Sequence, residues 1–134
     1  DTDDQIDFKT GGTDRFVLSS ANAKFNVGAY NAEVTLTDAS TISWDVSTSP
    51  VAKVTLGGNR TLGAGANPQT GQFISILFIQ DGTGSRTLSL GTDYETAGGA
   101  GLTISTAANA VDVVPYFVKA SGSIQLGAPQ LAFS

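Results

Sequence analysis

The run Phe73-Ile74-Ser75-Ile76-Leu77-Phe78-Ile79, inside GQFISILFIQDGTGSRTLSL (Gly71–Leu90), limits what this chain can become more than any other stretch. With side chains alternating along an extended strand, Ile74, Ile76 and Phe78 fall on one face. Phe73, Leu77 and Ile79 fall on the other. A strand apolar on both faces has to be covered on both, in the middle of a packed β structure or by another chain. A helix is the rival, but the run is short, follows Gly71-Gln72 and is rich in isoleucine, which favours the strand. The cluster Asp81-Gly82-Thr83-Gly84-Ser85 then reads as a turn, and Arg86 to Leu90 alternates again. The stretch therefore predicts a hairpin around a central strand.

The remaining chain repeats this grammar in shorter pieces. Ile6 and Phe8 alternate with polar residues, Thr10-Gly11-Gly12-Thr13 is a turn, and Arg15-Phe16-Val17-Leu18 resumes. Lys24 to Gly28 adds a small unit. These pieces hold too few apolar residues to bury themselves, so they lie along the main domain or pair with copies of themselves. From residue 29 onward, strands are expected at Glu33–Thr37, Thr41–Val46, Val51–Leu56, Arg60–Leu62, Leu102–Ser105, Ala110–Lys119 and Ile124–Leu126. Trp44 shares its face with Ile42 and Val46, which predicts core. Pro115 cannot donate to a ladder, so its strand is expected at an edge or bulged there. Leu56-Gly57-Gly58-Asn59-Arg60-Thr61-Leu62 and Asp81 to Leu88 share a glycine turn followed by Arg-Thr-Leu. This echo reads as two hairpins with like turn needs, since two instances cannot establish a repeat period. The expected class is all-β, a β-sandwich or jelly-roll-like pair of sheets (29–134) preceded by a short β lead (1–28).

Composition removes whole classes of chemistry. The 134 residues contain no histidine and no cysteine, which eliminates the Ser-His-Asp triad, the Cys-His dyad and the ordinary zinc and copper sites. No cofactor is expected. The net charge of −5 argues against nucleic acid and anionic membrane as partners. No apolar run approaches the ~20 residues of a membrane span, and no signal peptide is read at the start. Asp1-Thr2-Asp3-Asp4 has closely spaced carboxylates but lacks the glycine and distal glutamate of a calcium loop, and reads as a solvated acidic end. A glycosidase needs two carboxylates across a cleft. Beyond residue 38 the acids are Asp45, Asp81, Asp93, Glu95 and Asp112. Only Asp45 and Asp112 lie away from turns, so no enzyme is expected. Asp112, mid-strand, is assigned a salt bridge or backbone hydrogen bonds, with Arg60 or Arg86 as candidate partners. Asn59-Arg60-Thr61 is a glycosylation sequon only in a secretory context that nothing here supports. The best glycan contacts on offer are Tyr94, Glu95 and Asp93 in a glycine-rich loop, with Tyr116 as a further candidate.

Two stretches resemble a known family. Asp4-Gln5-Ile6-Asp7-Phe8-Lys9-Thr10-Gly11-Gly12-Thr13-Asp14-Arg15-Phe16 resembles the strand-turn-strand unit of stalks in tailed-bacteriophage fibre proteins, where strands from three chains wrap around one axis. Gly84 to Leu90, followed by Leu102 to Val113, is similar to the β domain of phage tail-fibre and other virion appendage proteins. The resemblance implies a structural virion protein, a homotrimeric tail fibre or head-decorating fibre with an adhesive or decorating role. Its partners would be further copies, other virion proteins and, at a receptor-reading tip, a host-surface glycan. Ile6, Phe8, Phe16 and Leu18 are the expected inter-chain contacts. A carbohydrate-binding receptor-recognition module is the alternative.

Overall fold

The structure is a computed structural model that describes residues 6–19 and 21–133, apart from the side chain of Asp7. The chain divides into two compact units, Asp1–Tyr30 and Asn31–Ser134.

In the first unit, β1 (Ile6–Thr10), β2 (Thr13–Leu18) and β3 (Ala23–Phe25) form an antiparallel sheet in that order. The β1–β2 turn places Gly11 at φ +58° and Gly12 at φ +76°. Both central residues thus adopt the left-handed backbone that a tight two-residue hairpin needs, and glycine takes it without strain. The register sets Ile6 opposite Leu18, Phe8 opposite Phe16, and Phe16 opposite Phe25. Residues directly opposed in a ladder share a face, so these five side chains lie together.

The second unit is built of two sheets around one core. Its strands are β4 (Val34–Thr35), β5 (Thr41–Asp45), β6 (Val51–Leu56), β7 (Arg60–Ala66), β8 (Phe73–Gln80), β9 (Leu88–Leu90) and β10 (Tyr94–Glu95). A short 3-10 turn at Ala97–Gly99 precedes β11 (Val111–Ala120), β12 (Ser123–Leu126) and β13 (Gln130–Phe133). One sheet runs β10-β12-β11-β8-β6-β4, with β13 also paired to β11; the other is β5-β7-β9. From β4 to β9 the chain alternates between the sheets, and each strand lies parallel to the one two places earlier. Parallel neighbours require a crossover, and here the crossover is the strand of the facing sheet. The fold is all-β, a sandwich whose first three turns are wound rather than folded as hairpins.

Three local expectations give way to this winding. The segment Gly71–Leu90 is not a hairpin: β8 enters the seven-stranded sheet and β9 crosses to pair with β7, Leu88 beside Arg60 and Leu90 beside Leu62. The two echoed segments are therefore equivalent corners, each carrying the chain from one sheet to the other. Leu102–Ser105 forms no strand, although Ile104 is buried. Pro115 is not at an edge, because β11 pairs with β8 on one side and with β12 and β13 on the other. It sits at the seam where β13 gives way to β12, and its carbonyl accepts from Gly127 N at 2.9 Å. Ser75, opposite Pro115, turns its own N–H to Pro50 on the far side. The nitrogen that cannot donate thus faces the gap between two strands, where the ladder asks nothing of it.

The core gathers Ile42 and Trp44 from the small sheet, and Val46 just after β5, against Val54, Leu56, Ile74, Ile76, Phe78, Val114 and Tyr116 from the large one. Trp44 meets Tyr116 edge-on at 6.1 Å and donates Nε1–H to Ser49 O at 2.7 Å. Burial of this many large apolar groups at roughly 25 cal/mol per Å² is what holds the two sheets together.

Candidate functional site

Two apolar surfaces stand out, both produced by strand parity. In the first unit, Ile6 (58 %) and Phe8 (59 %) are exposed, as are Leu18 and Phe25, while Phe16 is half-buried. The ring of Phe16 stands 5.7 Å from Phe8 and 4.8 Å from Phe25, a three-ring ladder across three strands. Beside the turn the two strands are tied by Lys9 and Asp14 at 2.6 Å and by Arg15 Nε donating to Thr10 Oγ1 at 3.2 Å. The structure thus brings Ile6, Phe8, Phe16 and Leu18 onto one face, to which β3 adds Phe25.

The second surface is the outer face of the seven-stranded sheet. Inward side chains of β8 and β11 are buried, and outward ones are half-buried or exposed. Phe73 lies beside Phe117, Leu77 beside Val113, and Ile79 beside Val111. The two-faced strand anticipated above is closed on one side only.

The glycine-rich loop after β9 is arranged differently from the expectation. Tyr94 and Tyr116 are brought together, rings 5.3 Å apart, but in the core, where Tyr116 is 1 % exposed. Among the described residues, neither phenol hydroxyl has a hydrogen-bond partner. Burial pushes both phenols well above the ordinary tyrosine range, Tyr116 further than Tyr94. Gly65 makes room for Ile124, since a Cβ there would lie 2.6 Å from Ile124 Cδ1, with Tyr94 Oη in ordinary contact at 3.7 Å. A sugar stacks on an open ring face, and these rings are covered. What the loop presents outward is Glu95, whose Oε1 accepts from Ser123 Oγ at 2.7 Å and Oε2 from Gln125 Nε2 at 3.1 Å. These bonds, Ser123's first, hold its carboxyl below the usual range. Asp93 is half-buried and its carbonyl accepts from Ile124 N at 2.8 Å. Beside them a cavity of about 520 Å³ opens, walled by Leu88, Leu90 and Leu102 and edged by Tyr94, Glu95 and Thr96.

The remaining acids serve the fold. Asp112, 2 % exposed, accepts from Ser105 N at 2.6 Å and Ala132 N at 2.8 Å. Backbone amides rather than an arginine are therefore its partners. Arg60 binds Asp38 through two 2.7 Å bonds, and Arg86 binds Asp81 at 2.7 and 3.1 Å. Asp45 caps the following turn through Ser47 and Thr48. Among the described residues, no three of His, Cys, Asp or Glu converge as a metal site. The run Asp1-Thr2-Asp3-Asp4 lies outside the described residues. Sequence reading missed Gln80, a buried amide whose Nε2 donates to Arg86 O and Ser105 O and whose Oε1 accepts from Arg86 N. The only signal was its even parity with Ile74, Ile76 and Phe78.

Residues 36–123, about two thirds of the chain, match the family model described as putative phage tail fibre C-terminal domain. No curated protein and no solved structure matches the chain.

Proposed function

This chain belongs to the phage tail fibre C-terminal domain family and is a virion-associated structural protein of the fibre type, and from that premise we propose that it works as a homotrimeric β-rich appendage. Its role is adhesive or decorating, and mechanical rather than catalytic. In this reading residues 1–28 dock to or continue a stalk, and 29–134 form the sandwich body. The observation that supports it is the bare ladder of Ile6, Phe8, Phe16, Leu18 and Phe25. A three-stranded sheet with one face of solvated aromatic rings has little to hold it alone. Association of copies removes that surface from water and supplies the missing hydrophobic layer. Light scattering on the full chain tests it. The expected mass is three times the 13.7 kDa of one chain, with Phe8→Asp reducing it. A wild-type monomer at micromolar concentration would overturn the proposal.

A second reading, a carbohydrate-binding receptor-recognition module, draws support from the cavity beside Glu95. There the aliphatic walls would take the apolar face of a sugar and Glu95 its hydroxyls, with Asp93, outside the cavity lining, as a further contact. Tyr94 and Tyr116 would act from behind, by shaping the loop. Glycan binding abolished by Glu95→Ala supports this reading; a blank glycan screen removes it.

A further inference from the structure

We propose that Glu95 makes the cavity beside β9 selective for glycans that carry no acidic group; the inference deepens the carbohydrate-binding reading above and rests on it. The walls of this cavity come from β9, from Gly91 and from residues within 94–102, not from β7. β9 is the last strand of its sheet, so its edge away from β7 is free of that ladder. Gly91 N donates to Leu62 O, and Thr87 O accepts from Arg60 N. Both residues thus turn their backbone groups toward β7. Those groups alternate in direction along a strand, so the groups of Leu88 and Leu90 turn to the free edge, where the cavity lies. A few polar groups placed among aliphatic walls are what a small-ligand cleft needs. The walls take the C–H face of a sugar, and the strand edge pairs with its hydroxyls.

Charge then decides which sugars fit. Glu95 is the one charged side chain in the lining. Ser123 Oγ and Gln125 Nε2 each donate to one of its oxygens and favour the ionised form. A carboxylate has about four acceptor positions and no donor, so each oxygen keeps capacity for a donor from the ligand. The Tyr94 hydroxyl is buried and gives the cavity no donor of its own. Lys119 draws on Glu95 less than those hydrogen bonds do and lies outside the lining. Asp93, on the same loop, adds a second negative charge. A sugar hydroxyl satisfies Glu95 by donating to it. A carboxylate, sulfate or phosphate has no proton to give and brings a like charge, which weakens binding. Selectivity of this kind comes from repulsion of the wrong ligand rather than from added contact with the right one.

Binding of the full chain to oligosaccharides of glucose, galactose and mannose, each set beside the oligomer of its uronic acid, tests the proposal. Members of a pair differ only in oxidation at C6, so the comparison isolates the charge. At low salt at least one neutral member should bind, and its uronate about tenfold or more weakly. Glu95→Gln should narrow that ratio, whatever its effect on absolute affinity, with the near-UV signal of Trp44 unchanged. A uronate that binds as well as its neutral partner overturns the inference, and loss of that binding in Glu95→Ala leaves the carbohydrate reading standing. A ratio that Glu95→Gln leaves unaltered also overturns it. A panel in which nothing binds removes the reading and the inference together. If Glu95→Gln binds nothing or loses the Trp44 signal, the wild-type ratio at low and high sodium chloride decides: narrowing by salt supports the inference, and a constant ratio rejects it.

Discussion

Asp112 and Gly84 show how much of this fold hangs on single residues. The Asp112 carboxylate is buried and accepts two backbone N–H groups that have no other use in a sheet, one before β11 and one in β13. Asn in its place keeps one acceptor and turns an NH₂ toward an N–H. Leaving a buried donor unpaired costs about 1–3 kcal/mol, so Asp112→Asn should lower the unfolding free energy by about that much, read as a lower urea midpoint at unchanged slope. Gly84 has φ +71°, and a Cβ would sit 2.7 Å from both Ala108 N and Thr106 O. Because those atoms are backbone, the neighbourhood cannot yield as a flexible side chain would. Gly84→Ala should cost on the order of 2–4 kcal/mol, combining backbone strain with overpacking; chemical denaturation reads it directly. That Gly84 belongs to a turn is evident from Asp81-Gly82-Thr83-Gly84-Ser85 alone. That the turn presses against Thr106–Ala108 is not, because the approach joins segments more than twenty residues apart.

At the scale of elements, the corners matter more than the strands they join. Thr61 N donates to Ser40 O at 3.0 Å, Arg60 N to Thr87 O at 2.9 Å, and Thr87 N to Asn59 Oδ1 at 3.0 Å. Successive corners are thereby tied one to the next. The guanidinium of Arg60 holds the Asp38 carboxyl below its ordinary range, and that of Arg86 does the same for Asp81. Asp38 also receives Gly57 N, and Asp81 receives Thr83 N and Gly84 N. Carboxyls with depressed values in the folded state contribute stability above their unfolded value of about 4, and that contribution is lost as pH falls through the lower folded values. The melting temperature should therefore decline below about pH 4, and the amides of Gly57, Thr83 and Gly84 should lose exchange protection before those of β8. Equal protection of corner and β8 amides in acid would refute this. Parity in β5, β6 and β8 is legible from alternation, down to which side chains enter the core. Pairing is not: apolar alternation says which face is inward and nothing about which neighbour lies alongside, or in which direction. Hence β8 and β9 look like a hairpin and are not one.

For the molecule as a whole, the body closes one face of its large sheet and leaves the other open, while the leading sheet carries an aromatic ladder. If copies meet through that ladder, the forces are apolar and short-range, and the charges that oppose association are long-range. Added salt screens the repulsion between chains of charge −5 and leaves hydrophobic contact intact. Assembly should then persist or tighten from low to high sodium chloride and weaken on cooling, as scattering at fixed concentration would reveal. Dissociation by salt would point instead to ion pairs across the contact.

The sequence by itself determined the all-β class, the inward residues of the central strands, the glycine turns and the two-sided character of Phe73–Ile79, since each follows from side-chain alternation or local backbone freedom within a few residues. Tertiary structure alone decided that the chain winds between two sheets, that Tyr94 and Tyr116 turn into the core, that Pro115 sits at a seam, and that Asp112 serves backbone amides. Those outcomes depend on hydrogen bonds and close approaches between distant segments, which no local pattern encodes.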